Sequence, residues 1–275
     1  MHSVDANGAH IPSIGLGTWT LRGDQCADLV QAAIETGYRH IDTAAMYKNE
    51  DDVGRGIARA GVPRDELFVT TKVWPTDLAA ADFRRSAEQS LDRLGLEQVD
   101  LLLIHWPNPA IRLSETIGAL EAALKDGLTR NIGVSNFPTA LLADAMSLAG
   151  HSLSANQVEY HPKLDQSKVL AACRAAGMAM VSYCPLGRGL DILHEPAVAE
   201  AAAKHGRTPG QIVLRWHVQQ PGVIAIPRTT RRERLAENLD VFGFELTEAE
   251  MHAISALQAA NNRICDFEFS PVWDG

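Results

Sequence analysis

The sequence predicts a (β/α)8 barrel that occupies residues 1–275 as one domain, with an added C-terminal helix and tail. Three observations carry that expectation. Eight short runs rich in Ile, Val and Leu recur along the chain. Most are apolar throughout instead of alternating, as strands buried on both faces are. Helical patterns separate them, and strict βα alternation over about 250 residues matches the usual size of a closed barrel.

In chain order the strand candidates are SIGLGTW (13–19), RHIDTA (39–44), LFVTTKVW (67–74) and DLLLIHW (100–106). NIGVSNF (131–137), ANQVEY (155–160), MVSYCPL (180–186) and GVIAIPR (222–228) complete the set. Between them, Phe83, Ala87, Leu91 and Leu94 fall at i, i+4, i+8 and i+11, one face of a helix over 82–94. Ile117, Leu120 and Leu124 repeat the pattern, as do Leu141, Ala145 and Leu148. The segments 247–258 and 259–275 follow the eighth unit and read as the added helix and a tail whose Phe267, Phe269 and Trp273 are candidates to drape over the rim. No linker, low-complexity segment or sequence-level repeat is visible.

Composition excludes several functional classes. The formal charge is −9, and an acidic chain lacks the basic stripe of a nucleic-acid binder. No apolar run is long enough to span a bilayer. The N-terminus has neither a cationic start nor an apolar core, so export is not expected. The four cysteines, Cys26, Cys173, Cys184 and Cys265, form no CxxC pair, which fits free thiols in a reducing, cytoplasmic setting. His40, His105 and His161 make no HxH or HExxH pattern, so no metal is expected.

Each strand candidate ends in a chemically costly residue: Thr18 and Trp19, Asp42, Lys72, His105, Ser135 and Asn136, Gln157, Tyr183, Arg228. In a barrel these positions converge on the C-terminal rim, where such folds place their sites. Each has an ordinary alternative: Asp42 as a helix N-cap, Lys72 snorkelling from the rim, His105 as a core histidine. Together with Tyr47, five residues beyond Asp42, they gather an acid, a base, a phenol and an imidazole. That set suits proton transfer to or from an oxygen. A phenol titrates too high for an efficient acid near neutrality, and an adjacent ammonium lowers it. Asp42 and Lys72 are therefore expected to tune Tyr47 downward, while His105 orients a carbonyl oxygen or relays the proton.

GLGTWT (15–20) lacks the third glycine of a dinucleotide fingerprint, and a lone GxG is weak evidence. A better anion site is IPRTTRRER (226–234), where Arg228, Arg231, Arg232 and Arg234 cluster in an acidic chain. Barrel phosphate sites often follow the seventh and eighth strands. Trp19, Trp74 and Trp106 lie beside strand ends and are candidate walls of an apolar pocket. Arg22, Arg112, Arg188 and Arg263 are candidate partners of a substrate carboxylate, with a plain exposed surface role the favoured alternative for most of them.

In order and over essentially the whole chain, IDTAAMYKNE, VTTKVW, LLLIHWP, IGVSNF, NQVEYHP, YCPLGRG and IPRTTRRERLAEN resemble the aldo-keto reductase superfamily. The resemblance implies a catalytic tetrad of Asp42, Tyr47, Lys72 and His105, with Tyr47 as general acid. It implies a nicotinamide cofactor, NADPH over NADH, that gives a hydride to a carbonyl carbon. It assigns Arg228, Thr229 and Arg234 to the adenosine 2'-phosphate, and Glu237 and Asn238 to the adenine. Ser135, Asn136 and Gln157 would hold the nicotinamide amide and Tyr183 would stack on its ring. Cys184, Leu186 and Arg188 would lie along the cofactor, with Thr18, Trp19 and Asp42 beside it. Trp19, Tyr47, Trp74, His105 and Trp106 would face the substrate. Cys184 stands where the family commonly has Ser, and Arg228 where it usually has Lys.

The Pro-Val-Trp-Asp ending and short rim loops are similar to bacterial 2,5-diketo-D-gluconate reductases, which also reduce methylglyoxal and other small carbonyls. The expected partner is accordingly a small carbonyl compound, and the expected state a monomer. A non-catalytic, nicotinamide-sensing subunit on the same fold is the alternative. No additional partner-binding domain favours it.

Overall fold

The computed structural model describes residues 2–188, 191–259 and 262–274. Of the rim loop after the seventh barrel strand, positions 189 and 190 lie outside the described residues, as do 260, 261 and 275 of the tail. The chain opens with a feature the strand list above lacks: an antiparallel hairpin of β1 (Ser3–Ala6) and β2 (Ala9–Pro12). Its turn is Asn7-Gly8, both at positive φ, 46° and 90°. Asn-Gly is the sequence preferred for such two-residue turns, because neither residue resists the left-handed region. The signal was present in the sequence.

Eight parallel strands follow: β3 (Leu16–Gly17), β4 (His40–Asp42), β5 (Phe68–Val73), β6 (Val99–Ile104), β7 (Thr129–Ser135), β8 (Ala155–Glu159), β9 (Ala179–Tyr183) and β10 (Val223–Ala225). Each falls inside or overlaps one of the eight predicted runs, and each pairs with its sequence neighbour. The ends of the sheet meet. Ile14 bridges Ala225, and the amides of Gly15 and Gly17 donate to the carbonyls of Ala225 and Pro227. Every residue of β5, β6 and β8 is buried, as strands covered on both faces must be.

The helices are α1 (Gly23–Thr36), α2 (Glu50–Ala60), α3 (Ala80–Leu94), α4 (Leu113–Lys125), α5 (Thr139–Leu148), α6 (Ser167–Ala175), α7 (Pro196–His205), α8 (Pro209–Val218), α9 (Glu233–Leu239) and α10 (Glu248–Ser255). Phe83, Ala87, Leu91 and Leu94 of α3 all face inward. In α5 the expected stripe is corrected: Leu142 and Ala145 are its buried residues, and Leu148 is 45% exposed. Adjacent Leu141 and Leu142 offer two faces, and packing selected the second. α8 and α10 start with reciprocal capping boxes, Thr208 with Gln211 and Thr247 with Glu250, which satisfy otherwise orphaned amides.

The core has two layers. The outer one packs the strands against the helices. The inner one fills the barrel with Phe68, Leu101, Leu103, Val181 and Ile224, joined by Ala6, Ala9 and Ile11 of the hairpin. Asn7 donates to the carbonyls of Leu153 and Ala176, just before β8 and β9 begin. The hairpin therefore plugs the end where the strands start, and leaves the opposite rim open for a site.

Candidate active site

The side chain of Asp42, at the end of β4, is wholly buried and fully engaged. Lys72 Nζ donates to its Oδ1 at 2.6 Å, and Gln157 Nε2 donates to its Oδ2 at 2.7 Å. Lys72 also donates to the carbonyl of Thr43 at 2.8 Å. Both partners of the ion pair are almost completely buried. Burial presses the Lys72 ammonium below its ordinary pKa, and Asp42 opposes that shift. A buried charge pair persists only when hydrogen bonds complete it, and here Gln157 and Thr43 do so.

Tyr47 ends the 3-10 turn Ala45–Tyr47 that follows β4. Asn49 fixes this turn from beneath: it accepts from Thr43 Oγ1 and donates to the carbonyls of Thr18 and Leu21. Lys72 Nζ lies 5.1 Å from the centroid of the Tyr47 ring. The expected downward tuning of Tyr47 is corrected. Burial first, and then Asp42, hold the phenol well above its usual pKa. The Lys72 protons go to Asp42 and Thr43, so the ammonium reaches the ring but not the hydroxyl.

His105 follows β6 and packs edge-on to Tyr47 and Trp74. Burial, reinforced by Lys72, holds it well below the ordinary imidazole pKa. It is a neutral imidazole at physiological pH, and its buried Nδ1 has no protein partner. A neutral ring with one N–H can donate to a carbonyl oxygen.

The remaining rim residues form a mutual scaffold. Asn136, at φ 63°, turns the chain out of β7. Its Nδ2 donates to the His105 carbonyl and to Ser135 Oγ, and its Oδ1 accepts from the Tyr183 hydroxyl at 2.8 Å. Ser135 Oγ donates to the Gln157 carbonyl. Thr18 donates to the Asp42 carbonyl.

These groups surround a cavity of about 410 Å³. Of the predicted residues, Thr18, Trp19, Asp42, Tyr47, His105, Trp106, Asn136, Gln157, Tyr183, Cys184, Leu186, Arg188 and Arg228 line it. Lys72 and Ser135 stand behind that lining. Trp74 is not among the lining residues; its ring packs edge-on against His105 and Phe269. Phe267 of the tail lines the cavity too, which has further walls that the sequence reading missed, among them Met46, Ile226 and Cys265.

The tail supplies two of those walls. Buried Glu159 accepts from the amides of Ile264 and Cys265 and bonds His161. Phe267, Phe269 and Trp273 all pack edge-on to Trp106, and Asp274 accepts from Thr139. The three aromatic residues named in the tail thus lie on the rim, while the anchor on Glu159, more than a hundred positions away, left no local signal.

Arg188 lies over the Trp19 ring at 4.3 Å, and Arg228 Nε donates to the Trp19 carbonyl. Burial and then the charge of Arg188 press Arg228 below its usual pKa. Neither guanidinium has a carboxylate partner among the described residues. Farther out, Arg231 pairs with Glu233 and Arg232 with Glu35, whereas Arg234 has no ion pair among the described residues. Thr229 caps the turn by accepting from the Arg231 amide. Glu237 accepts from Thr208, and Asn238 is buried. Thr229, Arg234, Glu237 and Asn238 lie outside the cavity lining. Of the four arginines proposed for a substrate carboxylate, only Arg188 lines the cavity, and Arg263 packs on Trp273.

Among the described residues no group of three His, Cys, Asp or Glu side chains could hold a metal ion, and no helix is long and apolar enough to cross a membrane.

The sequence profile described as the aldo/keto reductase family matches residues 13–191 and 193–259. The chain is 40% identical over 267 residues to methylglyoxal reductase DkgB of Salmonella typhimurium, covering 96% of this chain and 99% of that protein. A solved structure with the provisional name 2,5-diketo-D-gluconic acid reductase B is 41% identical, with a TM-score of 0.98 over 100% of this chain and 98% of the other. The Bombyx mori aldo-keto reductase AKR2E4, solved in complex with NADP, is 37% identical with a TM-score of 0.90, over 96% of this chain and 95% of that one.

Proposed function

The chain belongs to the aldo/keto reductase family, and on that premise we propose that it reduces small aldehydes, ketones or keto-sugar acids, of the methylglyoxal or 2,5-diketo-D-gluconate type, with NADPH. The observation that carries the reading is a protonated Tyr47 and a neutral His105 facing one cavity, above a buried Lys72–Asp42 pair.

The residues present fit the dinucleotide. Arg188 and Arg228 bring two unpaired cations to one rim, a costly arrangement that bound phosphate relieves. Arg228, Thr229 and Arg234 would hold the 2'-phosphate, and Glu237 and Asn238 the adenine. Leu186 and Arg188 would lie along the pyrophosphate, with Cys184 beside them. Ser135, Asn136 and Gln157 would address the nicotinamide amide, and Tyr183 the ring. When bound, the reduced cofactor supplies the hydride equivalent for the carbonyl carbon.

The chain's own part is to hold and move a proton. His105 donates its N–H to the carbonyl oxygen and fixes it near the Tyr47 hydroxyl. As that oxygen gains negative charge it becomes more basic than a phenolate, so it takes the Tyr47 proton despite the raised phenol pKa. The Lys72 ammonium beneath the ring stabilises the phenolate that remains, and Asp42, braced by Gln157, keeps that ammonium in place. Trp19 and Trp106 exclude water from one side.

The test is NADPH oxidation with methylglyoxal and with 2,5-diketo-D-gluconate. Tyr47→Phe is expected to lower turnover by about 10²–10⁴-fold, the usual contribution of a general acid, while NADPH still binds. Near-normal turnover in that variant would remove Tyr47 from the proton-donor role. Wild-type protein that binds NADPH but reduces no carbonyl compound would favour the sensor alternative.

A further inference from the structure

Two of the four cysteines meet at the cavity. Cys184 follows β9 and Cys265 comes from the tail, eighty-one positions apart in sequence, and both line the same space. Both are free and partly accessible, whereas Cys26 and Cys173 are buried in the outer core. The two thiols are close enough to act on each other's titration, and Arg188 acts on Cys184 as well. The effect is asymmetric. The neighbouring Cys265 draws Cys184 below the ordinary thiol pKa, with Arg188 adding to the shift, while Cys265 is pushed up. Such a pair has an attacking thiolate and a neighbour able to resolve its oxidised form.

The surrounding backbone gives a cross-link consequences. Cys184, Arg188 and Asp191 all have positive φ, at 50°, 32° and 50°. None is glycine, so these three residues store strain of the sort found where a loop changes arrangement on binding. Cys265 is the opposite case: its amide is anchored on buried Glu159.

We propose that Cys184 and Cys265 form a redox-responsive disulfide that staples the strained residue after β9 to the anchored tail and shuts the cavity to the dinucleotide. The oxidant is a hydroperoxide. The Cys184 thiolate attacks one peroxide oxygen; an S–O bond forms, the O–O bond breaks, and the departing hydroxide takes a proton to leave as water. The Cys265 sulfur then attacks the sulfenic sulfur; the S–S bond forms, the S–O bond breaks, and hydroxide leaves with the thiol proton as a second water. Two thiols lose two electrons and two protons, and one hydrogen peroxide becomes two waters. A thiol reductant reverses the change.

The closing of the site to NADPH rests on the function proposed above, but the bond itself does not. Protein treated with hydrogen peroxide is denatured, alkylated and weighed, and its NADPH affinity is measured by fluorescence before and after treatment. Reduced chain takes up four alkyl groups, one per cysteine. Treated chain is expected to take up two and to yield a peptide joining positions 184 and 265. NADPH dissociation should weaken by at least about tenfold, as when a binding-competent loop arrangement becomes a minor one, and recover with dithiothreitol. Cys265→Ser, compared with its own untreated form, should show neither cross-link nor comparable weakening. Four alkyl groups after treatment, equal weakening in Cys265→Ser, or a cross-link that leaves affinity unchanged each overturn the proposal. Untreated protein that binds no NADPH would instead count against the functional reading, while the alkylation count still decides the disulfide.

Discussion

Asp42 shows how a residue's neighbours set its role. In sequence it is a carboxylate after a short apolar strand, compatible with an N-cap. In the folded chain its two oxygens are committed to Lys72 and Gln157, which makes it the support of a buried ammonium. Its position at a strand end was legible, and so was the grouping with Tyr47, Lys72 and His105. The Gln157 contact was not, because those residues are 115 positions apart. Among the arginines of residues 228–234, sequence shows four equivalent cations. The structure separates them: Arg231 and Arg232 have carboxylates, whereas Arg228 and Arg234 have none among the described residues. Arg228→Ala is expected to weaken NADPH by about 2 kcal/mol, roughly thirtyfold, the worth of a charged hydrogen bond. NADH should be affected far less. Titration of both cofactors checks this, and equal losses would remove Arg228 from the 2'-phosphate.

Among the elements, helices with a single apolar stripe were readable and those with two candidate faces were not. α3 buries the four residues its spacing nominates, whereas α5 turns Leu142 inward in place of its neighbour. The same limit applies to glycine. Gly54 in mid-α2 looks like a flaw, since alanine is favoured there by about 1 kcal/mol. Yet a Cβ at Gly54 would lie 2.4 Å from the carbonyl oxygen of Leu94, where α3 ends. Backbone cannot yield as a side chain can. Gly54→Ala is therefore expected to destabilise by about 1–3 kcal/mol, as overpacking does. Thermal unfolding decides the matter, and a raised midpoint would mean that α2 and α3 are free to separate.

At the scale of the whole molecule, burial of histidines sets a dependence on pH. His217 lies in the core, and burial lowers its pKa to about 4, against two backbone carbonyls that would favour the charged ring. His40 and His105 are lowered as well, again chiefly by burial. The unfolded chain binds these protons near pH 6.5 and the folded chain refuses them. Between about pH 6.5 and 4 the unfolded state thus holds more protons, so stability rises with pH and is lost on acidification. From pH 7 to 5 His217 alone contributes a loss of about 2 kcal/mol. Denaturant unfolding at the two pH values measures it; unchanged or greater stability at pH 5 would contradict the neutral, buried state of these rings.

By itself the sequence determined the eight barrel strands, their parallel arrangement, the rim on which the costly residues gather and the family to which they belong. Those properties follow from local periodicity and from motifs a few residues long. Only the tertiary structure decided that Glu159 anchors the tail, that Cys184 and Cys265 line one cavity, and that Trp74 packs edge-on to His105. It alone also set the direction in which Tyr47 titrates. Each depends on contacts between segments distant in sequence, and on the water those contacts exclude, and neither leaves a local pattern in the chain.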